Sequence, residues 1–221
     1  MNFKRNDEIK IPIGSRTLYG QLTLPENAAG LVLFAHGSGS SRLSSRNQFV
    51  SKFLVSRRIA TLLFDLLTLE EEAVDEQTRE LRFDIPFLSR RLQEATAWAQ
   101  ENSPFSKGPI GYFGASTGAA AALCAAAALG PSIRALVSRG GRPDLAKGDL
   151  SKVSAPTLLI VGSLDTGVIE LNETAFQSLR CEKKLEIVPG ATHLFEESGK
   201  LERVAHLAAD WFLRYLPLSS V

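Results

Sequence analysis

The chain has 221 residues, enough for one domain with a full hydrophobic core, and no Pro/Ser/Gly-rich linker divides it; a single domain over 1–221 is expected. Lys and Arg total 25 against 24 Asp and Glu, a net charge of +1 that leaves no footprint for nucleic acid or an anionic membrane surface. The two cysteines, Cys124 and Cys181, are too few for a disulfide framework, the N-terminus lacks a signal-peptide core, and the apolar run Ala119 to Leu129 is too short to span a bilayer. A soluble, cytoplasmic protein is the expectation.

In chain order, "EIKIPI" and "TLYGQLTLP" alternate around a Gly-Ser turn and predict an N-terminal hairpin. "GLVLFAHG" (30–37) is continuously apolar, the pattern of a strand buried on both faces in a parallel sheet. A helix is predicted over 47–58, with Phe49, Val50, Phe53 and Leu54 inward. "IATLLFDLL" (59–67) is the next strand. The stretch "LTLEEEAVDEQTRE" (67–80) is a candidate cover for the site; its acidic run reads as a solvated loop or helix start rather than a metal site.

In 81–99 the apolar positions Leu81, Ile85, Leu88, Leu92, Ala95 and Ala99 have helical spacing, with Asp84 as N-cap before Ile85-Pro86. Strand "PIGYFG" (109–114) leads into a helix over 117–129. "IRALVSRG" (133–140), "TLLIVGSLD" (157–165) and "KLEIVPG" (184–190) are further strands. Leu201, Val204, Ala208, Trp211 and Tyr215 mark a last helix, stopped by Pro217. Apolar strands alternating with amphipathic helices imply an α/β architecture with a mostly parallel sheet, and such sheets bind ligands at the carboxyl ends of their strands.

What stands after each strand therefore matters most. Strand 109–113 is followed by Gly114-Ala115-Ser116-Thr117-Gly118 and then a helix. G-x-S-x-G arises by accident in about one chain in ten of this length, so the pentapeptide alone decides little. Strand, turn and helix around it are the context a nucleophile elbow requires, with Ser116 at a helix N-terminus.

A serine hydroxyl needs a base, and the base an orienting acid, in the chain order Ser, acid, His. Of the three histidines, His36 precedes Ser116 and His206 lies within the last helix; only His193, in "PGATHLFEE", has the right order and a loop position. Asp165, just beyond strand 157–162, is the first choice for the acid, with Asp144, Asp149 and Glu170 as alternatives. Two backbone N–H groups are candidates for the oxyanion: Thr117, after the nucleophile, and Ser38, in "HGSGSSR". His36 and Asp65 are then loop-organising residues. Phosphate-loop and dinucleotide signatures are absent. Arg139, Arg142 and Arg42 stand near strand ends, and Arg139 and Arg42 are candidate substrate-binding residues toward an anionic group.

With "HGSGSSRLSSRN", "GYFGASTGAAAAL", "VSRGGRPDLA", "GSLDTGVIELN" and "GATHLFEE" in this order, the chain resembles the α/β-hydrolase superfamily, and within it the dienelactone-hydrolase-like branch. The resemblance implies a sheet of about seven or eight strands flanked by helices on both faces. It implies hydrolysis of a small-molecule ester or lactone without cofactor or metal, by Ser116, Asp165 and His193. True dienelactone hydrolases use a cysteine nucleophile; here the elbow holds Ser116, and Cys124 lies about two helical turns further on. A non-catalytic binding protein of the same fold, or an acyltransferase or perhydrolase with the same triad, are the alternatives. The short segment from Gly140 to Ala155 leaves no room for a large cap.

Overall fold

A computed structural model describes residues 6–105, 108–146 and 148–216. Among them lies one sheet of 8 strands in the order β1-β2-β4-β3-β5-β6-β7-β8. The hairpin forms as expected: β1 (Asn6–Ile13) pairs antiparallel with β2 (Arg16–Thr23), and β2 pairs antiparallel with β4 (Ala60–Phe64). From β4 onward the pairing is parallel, through β3 (Leu31–Ala35), β5 (Ile110–Ala115), β6 (Ile133–Arg139), β7 (Thr157–Gly162) and β8 (Lys183–Val188). β3, β4, β5 and β7 are buried along their whole length, which is why their sequences show no alternation.

Helices α1 (Ser45–Ser56) and α6 (Lys200–Tyr215) cover one face, and their core includes Val50, Leu54, Val204, Ala208 and Phe212. On the other face lie α3 (Ile85–Asn102), α4 (Thr117–Leu129) and α5 (Thr166–Ser178), whose core includes Leu88, Leu92, Ala120, Leu123 and Ala175. Asp84 caps α3, its carboxylate accepting from Phe87 N at 2.9 Å. The helix begins at Ile85; Leu81–Phe83 is a separate 3-10 turn. The Pro217 stop lies outside the described residues.

Two expectations are corrected. On α1 the inward residues are Asn47, Val50, Ser51 and Leu54, while Phe49 is exposed. The acidic stretch forms α2 (Leu69–Thr78), whose Glu71 and Asp75 are buried rather than solvated. Glu71 pairs with Arg16 and with Arg91, and Asp75 holds Arg82 through Nε at 2.6 Å. Between β6 and β7 the described residues form two 3-10 turns and no inserted cap helix.

Candidate active site

Ser116 sits between β5 and α4 with φ 51° and ψ −120°, a left-handed backbone that costs a serine about 1–3 kcal/mol. Three hydrogen bonds hold it there. Ser116 N donates to Arg139 O at 3.2 Å, and Ser116 O accepts from Ala119 N and Arg142 N, both at 3.1 Å. The turn also needs its glycines. A Cβ on Gly114 would lie 2.5 Å from Ala119 Cα, and one on Gly118 would lie 2.2 Å from Ala35 O. The tight packing that makes the elbow also brings the loop after β3 against it.

The structure brings His193 and Asp165 together. His193 Nδ1 lies 2.6 Å from Asp165 Oδ2. Asp165 precedes α5 but caps no helical N–H, so its carboxylate serves the imidazole rather than the helix. With Asp165 ionised, Nδ1 carries the proton and Nε2 keeps a lone pair, as a general base requires. The Asp165 side chain is 17% exposed and that of His193 36%, so the imidazole is the open end of the pair. The ring lies against Gly140, where a Cβ would be 3.4 Å from Cε1. Gly140 follows Arg139, the residue whose carbonyl holds Ser116 N, so one strand end positions both loops. No hydrogen bond joins Ser116 to His193 among the described residues.

The competing acid is otherwise engaged. Asp144 accepts a bidentate pair from Arg142, Nε at 2.9 Å and Nη2 at 2.8 Å. No local pattern announces the anchors of the His193 loop. Thr192 N donates to the Glu197 carboxylate at 3.1 Å, Phe195 is fully buried, and Glu196 bonds Arg46 of α1 at 2.8 Å. These contacts across the fold hold the loop that carries His193.

His36 is a loop organiser. Its Nε2 accepts from Leu66 N at 3.0 Å and its Nδ1 lies 3.0 Å from Gly37 O, which fixes a neutral tautomer. Burial lowers its pKa below 6.5, against smaller opposing effects of the Gly37 hydrogen bond and the Asp65 charge. Asp65 accepts from Arg42 N at 2.7 Å and pairs with the Arg42 guanidinium, so that candidate substrate residue is held in an ion pair. Arg139 is 5% exposed, and its Nη2 donates to Asn47 Oδ1 at 3.2 Å. Burial, and then the charge of Arg46, pull its pKa down to about 10, so it stays protonated at neutral pH.

Of the two oxyanion candidates, Thr117 N begins α4 and has no partner within the helix. The Ser38 N–H donates instead to Thr117 Oγ1 at 2.8 Å. Both residues line a cavity of about 330 Å³, along with His36, Leu66, Leu88, Glu72, Asp75, Glu76 and Arg82. Residues 67–80 thus wall, through Leu67 and α2, the cavity that Ser38 and Thr117 share, while Ser116, Asp165 and His193 are not among its lining residues. Among the described residues no cluster of His, Cys, Asp or Glu is arranged to hold a metal ion, and no helix is long and apolar enough to cross a membrane.

This sheet, flanked by helices and carrying a strained serine elbow, defines an α/β hydrolase. No family model matches the chain. It is 52% identical to the dienelactone hydrolase of Anabaena variabilis ATCC 29413, whose crystal structure it matches with a TM-score of 0.93 over 96% of this chain and 99% of that one. Est1E from Butyrivibrio proteoclasticus, 16% identical with a TM-score of 0.80, shares the fold over 95% of this chain and 98% of its own. Two Mycobacterium tuberculosis proteins, from strains CDC 1551 and H37Rv and provisionally named phosphoribosyl transferases, are 52% identical over 212 residues. That match takes in 96% of this chain and 47% of theirs, so the chain spans about half the length of these curated relatives. The chain belongs to the dienelactone-hydrolase-like branch of the α/β-hydrolase family, with serine at the elbow.

Proposed function

We propose that the chain is a serine hydrolase that cleaves carboxylic ester or lactone bonds of small molecules through an acyl-enzyme on Ser116. The observation that carries this reading is the His193 Nδ1–Asp165 Oδ2 pair at 2.6 Å, on loops after β8 and β7, with the His193 ring against Gly140 and Ser116, at φ 51°, bonded to the preceding Arg139. Ser116 Oγ adds to the substrate carbonyl as His193 Nε2 takes its proton. The tetrahedral intermediate collapses when His193 returns that proton to the leaving alkoxide. Water, activated by the same imidazole, then releases the acid. Asp165 keeps Nε2 aimed and stabilises the imidazolium. The two cysteines are free thiols, which fits a reducing compartment such as the cytoplasm.

The name carried by the M. tuberculosis relatives belongs to proteins of which this chain matches 47%. A nucleophilic serine with a general base is machinery for acyl transfer. Phosphoribosyl transfer needs a cradle for phosphate, whereas the cavity beside Thr117 presents Glu72, Asp75 and Glu76 and one arginine, Arg82, already paired with Asp75. A fluorophosphonate probe is expected to label the folded wild type and leave Ser116→Ala unlabelled, with nitrophenyl acetate turnover lost in parallel. Folded wild type that takes up no label would end the hydrolase reading.

A further inference from the structure

The Ser38 N–H is the donor that the loop after β3 was expected to offer to the oxyanion. In the structure it is committed to Thr117 Oγ1, at 2.8 Å. A hydroxyl has one proton to give and two lone pairs to accept with. Thr117 Oγ1 uses a lone pair on Ser38 N–H, which leaves its own proton pointing elsewhere. Among the described residues no acceptor takes that proton. Thr117 is 4% exposed, and it follows Ser116 in the chain and forms part of the wall of the cavity that Ser38 also lines. Its backbone N–H, first in α4, is likewise without an intrahelical partner. A single residue adjoining the nucleophile thus holds two unspent donors at the edge of the site.

We propose that Thr117 supplies two hydrogen bonds to the oxyanion, one from its backbone N–H and one from its side-chain hydroxyl, with Ser38 N–H acting one bond behind. The inference rests on the serine-hydrolase reading and adds a residue role to it. When Ser116 Oγ adds to the carbonyl, negative charge collects on the former carbonyl oxygen. The Thr117 O–H donates to it and keeps its proton; no bond to Thr117 forms or breaks. The Ser38 N–H, donating into the same oxygen of Thr117, polarises the hydroxyl and makes it a better donor, because linked hydrogen bonds strengthen one another. The effect grows with charge on the oxyanion, so it belongs to the transition state and not to ground-state binding.

The test uses Thr117→Val, which keeps the shape and the backbone N–H and removes only the hydroxyl, beside Thr117→Ser, which restores it. Thr117→Ala carries the same expectation as the valine variant should that variant not fold. The expected result is a kcat lower by on the order of 100-fold in Thr117→Val, the usual cost of one oxyanion donor, with KM little changed and most activity regained in Thr117→Ser. Affinity for a boronic acid, which forms a tetrahedral adduct on Ser116, falls by the same factor, while affinity for the planar product acid does not. A kcat unchanged or raised in Thr117→Val overturns the proposal, since the hydroxyl would then be idle or would compete for Ser38 N–H. A loss shared equally between boronic acid and product acid also overturns it, since Thr117 would then only latch the loop. Wild-type labelling and turnover are measured first. Their absence removes the hydrolase reading and this one with it, whereas their presence with an unaltered valine variant removes this one alone.

Discussion

Asp165 stands at the head of α5, where an aspartate ordinarily accepts from helical N–H groups. Its carboxylate accepts from none of them, and its Oδ2 lies 2.6 Å from His193 Nδ1. Asp144, also in a loop after a strand, spends both carboxylate oxygens on Arg142. The two residues therefore separate cleanly under the same substitution. Asp165→Asn keeps size and removes charge, and its amide can present an N–H to Nδ1 and favour the wrong tautomer. A kcat lower by about 10⁴-fold is expected, with KM near wild type. Asp144→Asn loosens a partly exposed ion pair and leaves kcat near wild type. Steady-state kinetics on nitrophenyl acetate decide it, and the opposite ranking would move the acid to Asp144.

At the scale of elements, the elbow is a contact between strand ends and a helix start. Gly118 lies so near the loop after β3 that a methyl group would sit 2.2 Å from Ala35 O and 2.4 Å from His36 O. Both atoms are backbone, so relief means moving β3 away from α4. Gly118→Ala is expected to lower unfolding free energy by about 3 kcal/mol or more, read from urea midpoints at unchanged slope. A midpoint near wild type would show that the junction gives way easily. The β5–α4 unit was legible in sequence because strand, turn and helix signals are local, and the order of Ser116, Asp165 and His193 followed from the same reading. The face of α1 was not. Asn47 turns inward to accept from Arg139, 92 positions away, and Ser51 bonds Thr61 in the sheet at 2.7 Å. Nothing near α1 announces those partners, so the apolar Phe49 looked like the buried residue. Similarly, α2 reads as a solvated acidic helix until Arg16, Arg82 and Arg91 are seen converging on Glu71 and Asp75.

At the scale of the whole molecule, a parallel sheet gathers every loop that follows a parallel strand at one end. Five of those loops each expose a large apolar side chain: Leu43 at 66% after β3, Phe83 at 55% after β4, Leu145 at 39% after β6, Leu164 at 62% after β7 and Leu194 at 37% after β8. Leu164 and Leu194 directly adjoin Asp165 and His193 in sequence. With only short 3-10 turns between β6 and β7, no cap among the described residues covers this end. Exposed apolar side chains gathered at a site mark where something apolar is received. On the hydrolase reading, that is the acyl or aryl part of the ester, while the cavity walled by Glu72 and Glu76 suits the uncharged or hydroxyl-bearing part. Fully burying a leucine side chain is worth about 1.5–3 kcal/mol, so a rim leucine half covered by substrate contributes about 1 kcal/mol. Leu164→Ser and Leu194→Ser are each expected to lower kcat/KM for a nitrophenyl hexanoate about fivefold relative to the acetate, mainly through KM. An acetate leaves the rim uncovered in both proteins, so it serves as the internal reference for catalysis. If the hexanoate-to-acetate ratio is the same in both variants as in the wild type, the acyl chain does not rest on these two loops.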